Sequence, residues 1–389
     1  MTDPRRRILF VDDEPAILAG LQNLLYKERK RWDMVFAGSG DLALAACRAL
    51  PFDVVVSDMR MPGMDGATLL GAIRDEFPST VRIMLSGHAE RETIVRVLPS
   101  IHQLLSKPCD AQTLRTVIER CLDTEATSRD AVIRSLIGRL DKLPSPPEVY
   151  FALAKARAAP NTTLADVSRI VQRDPGICAK VLQLVNSAYF GQGRTIASIE
   201  QAVSNLGTER LKFIAMTASV FSSTSPEREI AGFSLADLQE TSIRVGTLAR
   251  KLLGRAPEAE EAFVVGLLHD VGRAILALGM TEIYGAVVAR SRDEVLVAVE
   301  RELIGVTHAE VGAALLRIWG LPVRIVDVIQ YHHDPLAAPE AIRDLAVAVH
   351  VASALVEGAP IDRDALAAAG YADRLSAWCA IAETEARAA

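Results

Sequence analysis

The first 122 residues alternate short apolar runs with helix-length amphipathic stretches, and few folds tolerate that rhythm. Strand-like runs fall at about 8–11, 34–37, 53–57, 82–85 and 103–105. Helical patterns fall between and after them, at about 14–29, 40–50, 66–76, 90–98 and 111–122. Five such βα repeats predict an α/β domain on a parallel sheet, because each parallel pairing needs a crossover long enough to hold a helix. Ile8-Leu9-Phe10 and Val54-Val55-Val56 are apolar without alternation, as expected of strands covered on both faces.

Polar groups stand where these runs end. Asp12-Asp13-Glu14 follows the first, Asp58 the third, Ser86 the fourth and Lys107-Pro108 the fifth. The carboxyl ends of parallel strands are where open sheets bind ligands. Aspartate is a nucleophile able to form an acyl phosphate. Crowded acids resist ionisation unless a cation neutralises them, and Mg²⁺ binds through a few carboxylates plus water and phosphate oxygens. A lysine adds a point charge and a serine hydroxyl a donor for phosphoryl oxygens. The plainer alternative makes Asp12 and Asp13 helix caps and Asp58 a turn opener. Three acids, a hydroxyl and a lysine in this order favour the phosphate pocket. Pro62-Gly63 and Asp65-Gly66 mark a turn just after Asp58, and the Lys107-Pro108 bond can be cis.

Residues 5–122 resemble the receiver domain of two-component response regulators, most specifically through Asp58-Met59-Arg60-Met61-Pro62-Gly63-Met64-Asp65-Gly66. The resemblance implies a flavodoxin-like five-stranded parallel sheet of order 2-1-3-4-5. It implies Asp58 as phosphoacceptor, with Asp13 and Asp58 as direct Mg²⁺ ligands, Asp12 in support and the backbone carbonyl of Arg60 completing the set. Ser86 and Lys107 would read the phosphoryl group, and a histidine kinase would supply it. Arg60 and His88 occupy positions that influence phosphoryl lifetime in that family. One neighbour departs: the family's usual inward-turning Tyr or Phe is Leu104 here.

At 389 residues the chain calls for more than one domain. The net charge of −6 argues against a strongly basic nucleic-acid surface, and no basic recognition helix stands out. Arg5-Arg6-Arg7 reads as a solvated lead into the first strand. Five scattered cysteines without a C-x-x-C pair suit a reduced, cytosolic protein. The start MTDPRRR lacks signal-peptide character, and apolar stretches such as 345–356 are shorter than a membrane span. A soluble, cytoplasmic protein is expected, with no membrane or nucleic-acid partner.

Beyond the first domain (1–122) a helical linker is expected over 123–140, with stripes at Val132, Ile133, Leu136, Ile137 and Leu140. It reads either as a hinge or as part of a dimeric signalling helix. Leu143-Pro144-Ser145-Pro146-Pro147 ends it. From 141 to 389 strand patterns give way to helices, and Ala262–Leu278, apolar nearly all round, predicts one central buried helix carrying His269-Asp270. Five of the seven histidines lie in this part, which suggests a present or former site.

Here the chain resembles the HDOD domain, an all-α relative of the HD-type metal phosphohydrolases usually regarded as a non-enzymatic interaction module. The resemblance rests on Leu143–Pro147, Asp174-Pro175-Gly176, Leu184-Val185-Asn186-Ser187-Ala188, Ser198–Ala202, Leu206-Gly207, Gly266–Gly272 and His308 to Trp319–Pro322. Against the active binuclear HD pattern, His269, Asp270, His308, His332 and His333 match. Thr241 stands where an upstream histidine belongs and Ser353 where a final aspartate belongs, and Gly-Tyr-Pro is replaced by Asp334-Pro335. Both losses strike one metal position; the other retains Asp270, His308, His332 and His333, enough for one ion by count. The expectation is a largely non-catalytic output domain, its histidines packed remnants, that docks a downstream protein, with the chain a homodimer. The alternative is a metal-dependent phosphohydrolase or cyclic-dinucleotide phosphodiesterase using the residual site.

Overall fold

The computed structural model describes residues 5–87, 100–122, 132–133, 135–137, 162–186, 195–206, 230, 232–292 and 294–388. The chain divides into two units, one formed mainly by residues up to 142 and one mainly by those from 143 onward. The expected helix at 90–98, His88, Pro144–Pro147, Ser187-Ala188 and Gly207 lie outside the described residues, as does most of the linker. Of that linker, Ile133, Leu136 and Ile137 are described, helical and buried.

In the first unit the strands are β1 (Arg6–Val11), β2 (Trp32–Ala37), β3 (Val54–Asp58), β4 (Val81–Ser86) and β5 (Gln103–Ser106). All pair in parallel, in the expected order β2-β1-β3-β4-β5. The helices are α1 (Pro15–Leu24), α2 (Gly40–Ala49), α3 (Gly66–Glu76) and α4 (Ala111–Leu122). The stretch expected as one helix over 14–29 instead closes α1 at Leu24 and continues as a 3₁₀ turn, Tyr26–Lys30. β1, β3 and β4 are covered on both faces, with Ile8, Leu9, Phe10, Val54, Val55, Ile83 and Met84 at or near zero exposure. Register then sets the site: Val11 lies opposite Ser57, and Ser86 opposite Ser106. Asp12, Asp58 and Lys107 therefore leave the sheet at the same end.

The turn after Asp58 is tight enough to require a glycine. A Cβ on Gly66 would sit 1.9 Å from the Asp58 carbonyl oxygen, and the Gly66 N–H donates to the Met59 carbonyl at 2.9 Å. Asp65 caps α3 by accepting from the Thr68 N–H at 2.8 Å.

Among its described residues the second unit is built of helices joined by turns and loops, with one isolated bridge between Ile230 and Phe233. Its elements are α5 (Leu164–Val171), α6 (Pro175–Val185), α7 (Leu235–Leu253), α8 (Ala259–Leu268), α9 (Val271–Gly279), α10 (Thr281–Arg290) and α11 (Leu296–Leu303). They continue as α12 (His308–Ile318), α13 (Val323–Tyr331), α14 (Glu340–Glu357), α15 (Arg363–Ala368) and α16 (Ala372–Ala388). α7, α8 and α14 pack together, and α13 lies against α8 and α14. Where α7 crosses α8 the backbones touch: a Cβ on Gly266 would lie 2.6 Å from the Gly246 Cα, and one on Gly246 would lie 2.7 Å from the Phe263 carbonyl oxygen.

The single helix expected over Ala262–Leu278 is two helices, α8 and α9, broken at His269-Asp270. α9 then runs against the start of α12 so closely that a Cβ on Gly272 would meet the His308 carbonyl oxygen at 1.9 Å. That contact holds Asp270 and His308 side by side. By length and composition Ala259–Gly279 would suffice to cross a membrane, contrary to the expected ceiling on apolar stretches, but 83% of its most apolar window is buried within the fold. Gly246→Ala and Gly266→Ala should each lower unfolding stability by about 1–3 kcal/mol through overpacking. Urea titration followed by circular dichroism measures this, and an unchanged midpoint would contradict the backbone contact.

Candidate functional site

Among the described residues two acid-centred clusters stand out, one in each unit. In the first, Asp12 follows β1, Asp58 ends β3, Ser86 ends β4 and Lys107 follows β5. Lys107 Nζ lies 2.7 Å from Asp12 Oδ2 and 2.6 Å from Asp58 Oδ1. Carboxylate oxygens of Asp12, Asp13 and Asp58 come within 4.8 Å of one another, close enough to share one cation. Asp12 Oδ1 accepts from the Glu14 N–H at 3.0 Å, which orients it. Burial holds the Asp58 carboxyl above its ordinary range, although Lys107 pulls the other way. Burial also works against the charge on Lys107, but its bonds to Asp12 and Asp58 outweigh that and raise its pKa. Ser86 is fully buried beside this end of the sheet, and the Lys107-Pro108 peptide is cis. Leu104, at the position of the family's aromatic, is buried within β5.

The second cluster gathers side chains from helix ends far apart in sequence. His269 and Asp270 sit at the α8–α9 break, His308 opens α12, and His332 and His333 follow α13. Asp270 Oδ1 lies 3.2 Å from His308 Nε2 and 3.7 Å from the Nε2 atoms of both His332 and His269. His308 Nε2 is 2.9 Å from His333 Nε2 and 3.4 Å from His332 Nε2. The outer nitrogens are anchored. His308 Nδ1 meets Glu300 Oε2 at 2.8 Å, His332 Nδ1 the Ile329 carbonyl at 2.6 Å, and His269 Nδ1 the Gly266 carbonyl at 2.7 Å.

Charge in this cluster is strongly redistributed. Burial opposes ionisation of Asp270, yet His269, Arg273 and His308 hold it well below the usual carboxylate range. Burial likewise opposes protonation of His308, but Glu300 and Asp270 on either side push it up to about 9. Burial, reinforced by His308, drives His333 down to about 3, and His332 falls well below the usual range as well. Without a bound cation, a protonated His308 turns one ring N–H to Glu300 and the other to Asp270, while burial keeps His332 and His333 neutral.

Of the sequence-derived residues, the structure brings together Asp12, Asp13, Asp58 and Lys107 in one cluster, and His269, Asp270, His308, His332 and His333 in the other. Thr241 lies on α7 and Ser353 on α14, where the Ser353 hydroxyl reaches Glu357 Oε2 at 3.5 Å. Three residues escaped sequence reasoning. Arg273 Nη1 is 2.9 Å from Asp270 Oδ2 and 3.7 Å from Glu357 Oε1, and Glu300 is fully buried against His308. The one available hint was spacing: Arg273 falls one helical turn after Asp270, and Glu357 one turn after Ser353.

Glu300 also accepts the His308 backbone N–H at 2.9 Å, so its carboxylate fixes both ring and backbone. Removing one partner of a buried charged pair strands the other, typically at about 3–5 kcal/mol. Glu300→Ala should cost stability on that scale in urea unfolding of chelator-treated protein; a loss under about 1 kcal/mol would contradict the pairing.

Family models place a response regulator receiver domain over residues 8–119 and an HDOD domain over residues 143–335. Among curated proteins, an uncharacterized protein of Treponema pallidum (strain Nichols) is 26% identical over 244 residues, 61% of this chain and 46% of that protein. The two-component response regulator ORR24 of Oryza sativa subsp. indica is 37% identical over 114 residues, 28% of this chain and 18% of that protein. The chain thus spans less than half the length of these curated relatives. Among solved structures, a virulence factor from Campylobacter jejuni subsp. jejuni shares the fold with a TM-score of 0.53 at 24% identity, over 59% of this chain and 83% of that one. Receiver domains generally use Mg²⁺ at their acidic site and a histidine kinase as partner, and Asp12, Asp13 and Asp58 form such a cluster here. The sheet order, the acidic cluster and the two family matches together make this chain a response regulator with an N-terminal receiver domain and a C-terminal HDOD output domain.

Proposed function

We infer that Asp58 accepts a phosphoryl group from a histidine kinase and that the change in the receiver alters what the HDOD domain binds. The observation that carries this reading is Lys107, held within 2.7 Å of both Asp12 and Asp58 at the carboxyl end of the sheet. An Asp58 carboxylate oxygen attacks phosphorus of the kinase's phosphohistidine. The P–N bond breaks, its electron pair stays on the imidazole, and an acyl phosphate forms. Such a transfer is favoured mainly by positioning and by charges already in place around the phosphoryl oxygens. Lys107 supplies a fixed positive charge and Ser86 a hydroxyl donor. Asp12, Asp13, Asp58 and the Arg60 carbonyl would hold Mg²⁺, which when bound neutralises the crowded acids and the incoming phosphate.

Leu104 leaves no aromatic ring to turn inward, so in this reading the signal travels through backbone and helix shifts. Moving an output domain from 1:99 to 99:1 between two states takes about 5.5 kcal/mol of differential stabilisation. The output works by binding rather than turnover. Thr241 and Ser353 replace two ligand-type side chains, and Arg273 already occupies the second oxygen of Asp270.

Incubated with acetyl phosphate and Mg²⁺, the protein should acquire a hydroxylamine-labile phosphoryl group. Asp58→Ala should reduce that label to background, and full labelling of the variant would remove Asp58 as acceptor. Cyclic dinucleotides offered with Mn²⁺ or Zn²⁺ should remain intact; hydrolysis lost in His332→Ala would reverse the assignment of the output domain to binding.

A further inference from the structure

We propose that the HDOD domain binds one divalent transition-metal ion, zinc in preference to magnesium, through Asp270 Oδ1 and the Nε2 atoms of His308, His332 and His333. The inference concerns the output domain alone and does not depend on phosphorylation of Asp58.

Geometry comes first. These four ligand atoms lie within 4.8 Å of one another, and the separations given above run from 2.9 to 3.7 Å. A tetrahedral ion with bonds of about 2.0–2.1 Å needs ligand separations of about 3.3 Å. The cluster already has the dimensions of a coordination shell.

The aim of the rings is the second point. The Ile329 carbonyl can only accept, so His332 Nδ1 carries the proton and Nε2 presents a bare lone pair to the cluster. His308 is oriented in the same way by Glu300. A carboxylate or carbonyl on the far nitrogen is the usual support of a metal-bound histidine. A single proton on His308 Nε2 can be donated to only one of Asp270, His332 and His333, leaving lone pairs facing one another. A cation at the centre satisfies all four atoms together.

A further atom points the same way independently. His269 Nε2 is buried without a hydrogen-bond partner, its Nδ1 is committed to the Gly266 carbonyl, and it lies 3.7 Å from Asp270 Oδ1. It offers a fifth lone pair beside the site.

Stoichiometry follows from Arg273. Its guanidinium takes Asp270 Oδ2 at 2.9 Å, the oxygen that would otherwise bridge to a second ion, and Thr241 and Ser353 bring only hydroxyls. The site is therefore mononuclear. Three imidazoles and one carboxylate favour zinc, whereas Mg²⁺ prefers an all-oxygen shell such as the receiver's three acids. The ion would tie the α8–α9 break to the start of α12 and the end of α13, acting as a clamp on the fold.

The 389-residue protein, stripped with chelator and equilibrated with zinc in excess Mg²⁺, should retain about one zinc per chain by mass spectrometry of the metal. Cobalt(II) should give the intense visible bands of tetrahedral coordination. His333 is exposed enough for His333→Ala to fold, which circular dichroism verifies, and this variant should lose the zinc and the cobalt bands. Glu300→Gln should weaken zinc affinity by about 10–100-fold, and Asp58→Ala should leave it unchanged. No retained zinc, or equal zinc in folded His333→Ala, would overturn the site; two ions per chain would overturn the role given to Arg273.

Discussion

Carboxylates crowded away from water need a cation among them, and both clusters of this protein are arranged around that requirement. In the receiver the need is met by Lys107, which reaches Asp12 and Asp58 together. In the output domain it is met by Arg273 on one oxygen of Asp270 and by His308 on the other. Losing such a cation leaves like charges facing each other in a poorly solvated site, which costs more than the pairing itself contributes. The same crowding makes each cluster receptive to an added cation.

The two clusters differ in donor chemistry, and that difference divides their roles. Oxygen-only donors at the open end of a sheet suit a hard, water-carrying ion and an incoming phosphate. Imidazole nitrogens locked by Glu300 and the Ile329 carbonyl suit a softer ion held within the fold. In the first case a bound cation would help a group arrive and leave. In the second, the proposed ion would hold helix ends in place. A response regulator built this way would pair a labile chemical input with a rigid output scaffold.

Much of the receiver was legible in sequence because β1, β3 and β4 are apolar on both faces, and the polar groups that end the runs are then conspicuous. The strands extend one or two residues beyond the apolar runs, since Arg6 and Trp32 pair across the sheet although neither fits a simple apolar pattern. The helical domain was less legible. Continuous hydrophobicity across Ala262–Leu278 concealed the break at His269-Asp270, because a buried kink leaves no mark in hydropathy. Glu300 looked like an ordinary helix-face acid, yet it is fully buried against His308.

Sequence alone determined the domain types, the parallel sheet with its acids and lysine at strand ends, and which histidines could gather. Those are local properties: an apolar run, a turn, a residue type beside it. Only the tertiary structure decided that Asp270 has one oxygen committed to Arg273 and the other facing three imidazoles. It alone decided that the rings of His269, His308 and His332 each carry a support on the far nitrogen. The physical reason is that ligand direction depends on where helix ends meet, and Gly246, Gly266 and Gly272 permit backbone approaches that no pattern of hydrophobicity encodes.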